Sequence, residues 1–254
     1  MRGFSKNRLF ISLTVLGFPL IAAPSALSET SIIAELLANS EAVVSIKAET
    51  SAIYKDKPQA FIHKETGQLL VHRKFVPVVQ TQSGSGVIID SSGLIAANAH
   101  TIFRAARITV TLYDNTSYPA DILHVDLDLD LAFLQIHPPR SLRFFKLSNS
   151  DRIKLDARVY SIGGSSIIKN TISEGIVSGI GISKGAPADG KREFFRITFN
   201  LYQGDSGSPL LDERGNLLGI MSGAAINQDK AAYAIPSNKI SNAFQKYFKE
   251  LPAG

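Results

Sequence analysis

Residues 203–209 read Gln-Gly-Asp-Ser-Gly-Ser-Pro, a run whose chemistry centres on the hydroxyl oxygen of Ser206. Gly204 can take a backbone conformation that turns its N–H, with that of Ser206, into one small pocket able to hold developing negative charge. Gly207 leaves room behind the serine, and Pro209 ends the tight loop before the apolar pair Leu210-Leu211. A serine hydroxyl is a poor nucleophile near neutrality and needs a base within hydrogen-bond reach. Upstream, His100 follows the turn signal Asp90-Ser91-Ser92-Gly93 and sits in Ala97-Asn98-Ala99-His100-Thr101. Histidine suits the task because its unperturbed pKa lies near about 6.5. Asp130 opens the apolar run Leu131-Ala132-Phe133-Leu134, where a buried carboxylate can fix an imidazole tautomer and stabilise the imidazolium that forms. Gly, Asp and Ser are also ordinary turn residues, so the weight falls on the ordered set of three. The chemistry they could perform together is acyl transfer through a serine ester.

The order His, Asp, Ser is that of the chymotrypsin-type arrangement and differs from the α/β-hydrolase and subtilisin orders. A wider resemblance goes with it. Gly84-Ser85-Gly86-Val87-Ile88-Ile89-Asp90, the His100 run and Ile108-Thr109-Val110-Thr111-Leu112-Tyr113-Asp114 are similar in order to trypsin-fold serine endopeptidases of the HtrA/Deg-type branch. Asp130-Leu131-Ala132, Glu174-Gly175-Ile176-Val177-Ser178, the Ser206 loop, Leu218-Gly219-Ile220 and Tyr233-Ala234-Ile235-Pro236-Ser237 continue the match over most of residues 40–240. The resemblance implies that His100 is the base, Asp130 the orienting acid and Ser206 the nucleophile, with the N–H groups of Gly204 and Ser206 as the oxyanion hole. It also places Asn200, six residues before the nucleophile, and Leu201 at the base of the pocket for the side chain preceding the cut. Ser222-Gly223-Ala224 would be the edge that pairs with the substrate backbone. Asn200 is uncharged, so selection of Arg or Lys is not expected, and small to medium apolar side chains are.

Several features depart from that branch. A PDZ domain commonly follows the protease there, whereas this sequence runs to Gly254, so peptide-triggered activation through such a domain is not expected within it. The activation-relay arginine common after the Gly-Ile-Val-Ser segment has no counterpart in Gly179-Ile180-Gly181-Ile182-Ser183. The residue before the nucleophile is Asp205, where that branch commonly has asparagine, and no Ile-Val-Gly-Gly start supplies it with an amine. Two alternatives therefore stand beside the endopeptidase: a binding or chaperone-like module whose triad is rarely assembled, and an esterase-like hydrolase. Homo-oligomers are common in the branch, but no contact residues for one can be named from the sequence.

The remaining composition fits an exported globular protein. Arg2, Lys6 and Arg8 precede an uncharged stretch from Leu9 to Leu27, with Ala26-Leu27-Ser28 as a small-residue cleavage site, the pattern of a signal peptide over residues 1–28. A membrane contact is expected only if that segment is retained. Its loss lowers the 27 basic residues by those three to 24, against 22 acidic ones, so the basicity is mostly a targeting feature and no nucleic-acid partner is expected. The expected partner is a polypeptide substrate, and the expected location periplasmic or secreted, in a bacterium. Cysteine is absent, which removes disulfides and thiol chemistry. His63, His72, His124 and His137 lack ligand-like spacing, so no metal or other cofactor is expected.

The elements that must position the triad read as all-β: two six-stranded barrels of the chymotrypsin type, with a short helix at each end. Helical spacing covers residues 31–38. Strand-like runs recur at 42–48, 75–81, 86–89, 94–97, 107–113, 118–125 and 130–136, then at 157–162, 172–180, 194–199, 209–211, 216–221 and 231–235. The turn-rich Ser148-Asn149-Ser150-Asp151 divides a first barrel of about 40–146 from a second of about 151–236, all within one protease domain over 29–254. Residues 49–74 carry Lys55, Lys57, Lys64, Arg73 and Lys74 and read as a solvated loop or hairpin. Asp126, Asp128 and Asp130 alternate with leucine, and three adjacent buried carboxylates would repel, so only Asp130 is expected inside. A closing amphipathic helix spans 237–250, with Ser237 as its cap and Ile240, Phe244, Tyr247 and Phe248 on one face.

Overall fold

The computed structural model describes residues 26–51, 53–163, 171–183, 193–198, 201–202, 204–224 and 231–249. The signal segment up to residue 25 lies outside them, as do Asn200 and Gln203. Helix α1 (Ala26–Asn39) opens the described chain and is longer at its start than the apolar spacing alone indicates. It buries Leu36, and the Asn39 amide donates to the Gly215 carbonyl at 3.1 Å.

Seven strands form the first sheet: β1 (Val43–Thr50), β4 (Thr81–Asp90), β5 (Leu94–Asn98), β6 (Ala105–Thr111), β7 (Ser117–Pro119), β8 (Asp121–Asp126) and β9 (Leu131–Gln135). Their order is β7-β6-β1-β4-β5-β9-β8. The run expected as one strand over 118–125 is thus two, at opposite edges of the sheet, with only Ala120 between them. Two edges joined by one residue must lie close together, so the sheet curls into a half-closed barrel. The kink has a visible anchor, since the Ala120 N–H donates to the Ile108 carbonyl at 3.0 Å. Between β1 and β4 the chain leaves this sheet as a hairpin, β2 (Ile53–Ile62) and β3 (Leu69–Val78), which pair with each other over ten positions. The run expected at 75–81 therefore belongs partly to β3 and partly to β4. Polar composition suggested a solvated segment, and β3 is largely exposed.

The second unit is a closed six-stranded barrel, ordered β10-β11-β12-β15-β14-β13. Its strands are β10 (Arg158–Ile162), β11 (Ile172–Ser183), β12 (Glu193–Ile197), β13 (Pro209–Leu211), β14 (Leu217–Ala224) and β15 (Ala232–Pro236). The main core is shared, because Ile162, Leu211, Leu217 and Ile235 of the barrel join one cluster with Val44, Ile88, Ile95 and Phe133 of the sheet. Side chains such as Phe133 and Ile95, fully buried, contribute about 1.5–3 kcal/mol each by leaving water.

Helix α3 (Ser237–Lys249) fastens the two units together. Ile240 and Ala243 are buried, and Phe133 meets Phe244 and Phe248 edge-on at 5.9 and 5.8 Å. Ser237 does not cap this helix. Its hydroxyl donates to the Ser148 carbonyl at 2.6 Å, and the Ser150 hydroxyl, from the segment linking the two units, accepts from the Asn238 N–H at 3.0 Å. The start of α3 is satisfied from outside itself.

Candidate active site

Residues 127–130 form the tight turn between β8 and β9. Asp126 ends β8 and accepts from the Leu129 N–H at 2.9 Å, and Asp128 is exposed. Of the three aspartates, Asp130 alone lines the cleft beside His100, and because it stands in the turn rather than in β8, the leucine–aspartate alternation does not lie along one strand face. Asp130 has φ 56°, a left-handed conformation that side chains seldom adopt. Its carbonyl is held there by the Ala99 N–H at 3.1 Å and the Asn98 amide at 3.3 Å. Its carboxylate then faces His100, which stands on the four-residue helical turn α2 (Ala99–Ile102).

The His100–Asp130 contact is double. His100 Nδ1 lies 2.9 and 2.8 Å from the two carboxylate oxygens, and the His100 backbone N–H donates to Oδ1 at 3.0 Å. A carboxylate can only accept, so Nδ1 carries the proton and Nε2 is left as an acceptor on the opposite edge of the ring. A third donor comes from the second barrel, the Ser222 hydroxyl, 2.6 Å from Oδ2. Burial pushes the Asp130 carboxyl up, but the His100 ring, the Ser222 hydroxyl and the His100 main chain together outweigh it and hold the group below the usual carboxylate range. Asp130 is therefore an ionised group, 19% exposed at its side chain, beside a half-exposed imidazole.

The Ser206 loop is built on β4. The Ser85 N–H donates to the Ser206 carbonyl at 2.7 Å, and the Ser85 hydroxyl donates to the Gly204 carbonyl at 2.7 Å. Behind the serine, Gly207 has φ 90°, and a Cβ there would overlap the Ser85 carbonyl, so the position requires glycine. Ahead of it, the Asp205 N–H donates to the Tyr202 carbonyl at 3.0 Å. Gly204 has φ 99°, a left-handed value that glycine takes without strain. The Asp205 carboxylate accepts from the Tyr202 N–H at 2.8 Å. Among the described residues no cation pairs with it, and burial pushes its carboxyl above the usual range, with that one hydrogen bond opposing.

His100, Asp130, Ser206, Ser222 and Gly223 line one open cleft of ≈ 710 Å³, walled further by Gln82, Phe103, Leu127 and Phe194. Residues separated by about a hundred positions in sequence are thus brought to one surface. Of the pocket residues inferred from resemblance, Leu201 packs against the core of the second barrel rather than lining the cleft. Asn200 and the Ala224 side chain lie outside the described residues. β13 pairs with β14 as far as Ile220, while β15 pairs with it through Ala224, so β14 outruns β13 along the cleft. The bond from Ser222 to Asp130 was hidden in the sequence, because Ser222 carries no motif beyond its place in the strand edge. The apolar walls Phe103 and Leu127, 48% and 57% exposed, were equally silent: exposure of a large apolar residue is decided by the fold.

A half-closed sheet and a closed barrel with a His–Asp pair at their junction and a serine loop opposite define a trypsin-fold peptidase scaffold. The trypsin-like peptidase domain family matches residues 84–220, more than half of the sequence, and the chain belongs to that family, on its HtrA-like side. It is 30% identical over 222 residues to the periplasmic pH-dependent serine endoprotease DegQ of Escherichia coli (strain K12), covering 84% of this chain and 48% of DegQ. It is 33% identical over 164 residues to the periplasmic serine endoprotease DegP of the same organism, covering 63% and 34%. Serine protease HTRA4 of Homo sapiens matches at 29% over 207 residues, 80% of this chain and 42% of its own length. The chain thus spans half or less of the length of these relatives. Among solved structures, the HtrA-type protease AlgW with tripeptide superposes with a TM-score of 0.67 at 22% identity, covering 86% of this chain and 64% of that one. At that identity the likeness establishes the fold.

Proposed function

We propose that this protein is an exported serine endopeptidase in which Ser206 is the nucleophile, His100 the general base and Asp130 the group that orients it. The observation that carries the reading is the Asp130 carboxylate, which gathers His100 Nδ1 at 2.8 Å, the His100 N–H at 3.0 Å and the Ser222 hydroxyl at 2.6 Å, in a cleft shared with Ser206. With Nδ1 protonated, Nε2 takes the Ser206 proton as Oγ attacks a peptide carbonyl, and Asp130 stabilises the imidazolium. The N–H groups of Gly204 and Ser206 receive the oxyanion, a role supported by the positive φ of Gly204. His100 returns its proton to the departing amine, leaving an acyl-enzyme at Ser206. Water, activated by the same imidazole, resolves it.

The substrate is a polypeptide laid as an added strand along Gly223, where β14 outruns β13, a mode that suits a peptide better than a simple ester. Phe103, Leu127 and Phe194 in the cleft walls support a preference for small to medium apolar side chains. Residues 29–254 make up the peptidase unit, exported by residues 1–28, in keeping with the periplasmic names of the DegP and DegQ relatives. The test is labelling with a fluorophosphonate probe beside Ser206→Ala. Strong labelling that vanishes in the variant is expected. A folded protein that does not label is instead a binding module with an unassembled triad, the reading to which an Asp205 carboxylate with no cation beside it among the described residues would then belong.

A further inference from the structure

The imidazole of His100 must be aimed to within a fraction of an ångström, yet it stands on a helical turn of four residues, far too short to hold itself. Its first end is fixed by Asp130, which receives the N–H groups of Ala99 and His100. The last carbonyls of such a turn need donors from elsewhere. Gln82 of β4 faces both: one end of its side-chain amide lies 2.8 Å from the His100 carbonyl oxygen and 3.1 Å from the Thr101 carbonyl oxygen. Two carbonyl oxygens can face only a donor, which assigns the NH₂ end of the amide to that side. Two residues along the same strand, Thr101 presses on Gly84 so closely that a Cβ there would come within 2.7 Å of its methyl group. With no cysteine in the sequence, the attachment of this turn to β4 is non-covalent.

Three residues beyond Gln82, the same strand carries Ser85, whose N–H and hydroxyl hold the Ser206 and Gly204 carbonyls at 2.7 Å. One strand therefore grips the turn that bears the imidazole and the loop that bears the serine.

We propose that Gln82 is a positioning residue, whose amide sets the His100 turn against β4 and so fixes the distance between imidazole and serine. The assignment rests on the reading of His100 as the base for Ser206. Gln82 is exposed at the cleft wall, so replacing it opens no cavity in the core.

Three variants separate positioning from bulk. Gln82→Met keeps the length and loses both donors. Gln82→Glu keeps the shape but turns acceptor oxygens toward two carbonyls. Gln82→Lys restores N–H donors on a stem of similar reach. Gln82→Met is expected to lower kcat about ten-fold with KM little changed, the signature of a displaced catalytic group rather than a lost substrate contact. Gln82→Glu should fall at least as far, and Gln82→Lys should recover most of the rate, all three with the thermal midpoint of the wild-type protein. Alongside turnover, the low-field Nδ1–H proton resonance of His100 is recorded by NMR and should be broadened or lost in Gln82→Met. Wild-type kcat in Gln82→Met, equal activity in Gln82→Glu and wild type, or a rise in KM alone would each overturn the proposal. If the wild-type protein has no Ser206-dependent turnover, the proposed activity fails on its own. The His100 resonance still decides this point, since an unchanged signal in Gln82→Met refutes positioning without reference to activity.

Discussion

Ser222→Ala removes one hydroxyl, 2.6 Å from Asp130 Oδ2 and 2% exposed to solvent. A buried hydrogen bond to an ionised group is worth about 1.5–3 kcal/mol. The carboxylate retains His100 Nδ1 and the His100 N–H, so it is not orphaned, and the lower half of that range is expected. For a chain of this size, each kcal/mol moves the midpoint by roughly 2–4 °C, giving a loss of about 3–9 °C at pH 7. The pH dependence follows from the depressed folded-state pKa of Asp130. Stabilisation of a carboxylate with lowered pKa is present above the unfolded value, about 3.9, and is lost as pH falls through the folded value. The gap between wild type and Ser222→Ala should therefore be full at neutral pH and close below about pH 4. Thermal unfolding of both proteins across this range measures it. Equal midpoints at pH 7, or a gap that does not depend on pH, would refute the reasoning.

Other substitutions test the neighbouring parts. Gly207→Ala forces a side chain into φ 90° and onto the Ser85 carbonyl, and should cost at least about 3 kcal/mol in denaturant unfolding. Asp205→Asn keeps the acceptor for Tyr202 and removes a carboxyl whose burial raises its pKa. A raised folded pKa means the penalty is absent below the unfolded value and grows as pH rises, so the variant should gain midpoint at pH 7 and none below about pH 4. His124 stacks on Tyr247 of α3 with ring centroids 3.3 Å apart. Burial lowers its pKa, with Asp126 opposing and Lys246 assisting. Its stabilisation is present above the unfolded value, about 6.5, and is lost as pH falls. His124→Phe should accordingly flatten the drop in thermal midpoint between about pH 7 and 5.

The candidate set His100, Asp130 and Ser206 could be named from sequence because the proposed chemistry constrains residue type and order. Ser206 needs small neighbours, Asp130 needs an apolar strand beside it, and His100 must precede both for this fold to bring them together. The strands were legible where apolar residues alternate or run together, as over 94–98 and 131–135. The split at Ala120 was not, since a kink that sends one run to opposite edges of a sheet leaves no periodic trace. Ser237 shows the same limit. Its type and place suit a cap, but the Ser148 carbonyl, 89 positions away, draws its hydroxyl instead.

Residue identity by itself determined which atoms could react, that the strands must form packed sheets, and that no disulfide could tie them, because these depend on side-chain chemistry and short-range pattern. Tertiary structure alone decided that Ser222 supports Asp130 from the second barrel, that Asp205 turns back to Tyr202, and that Gln82 and Ser85 of one strand hold the turn of His100 and the loop of Ser206. Each of these is a hydrogen bond between groups brought together by chain folding, where geometry rather than residue type selects the partner.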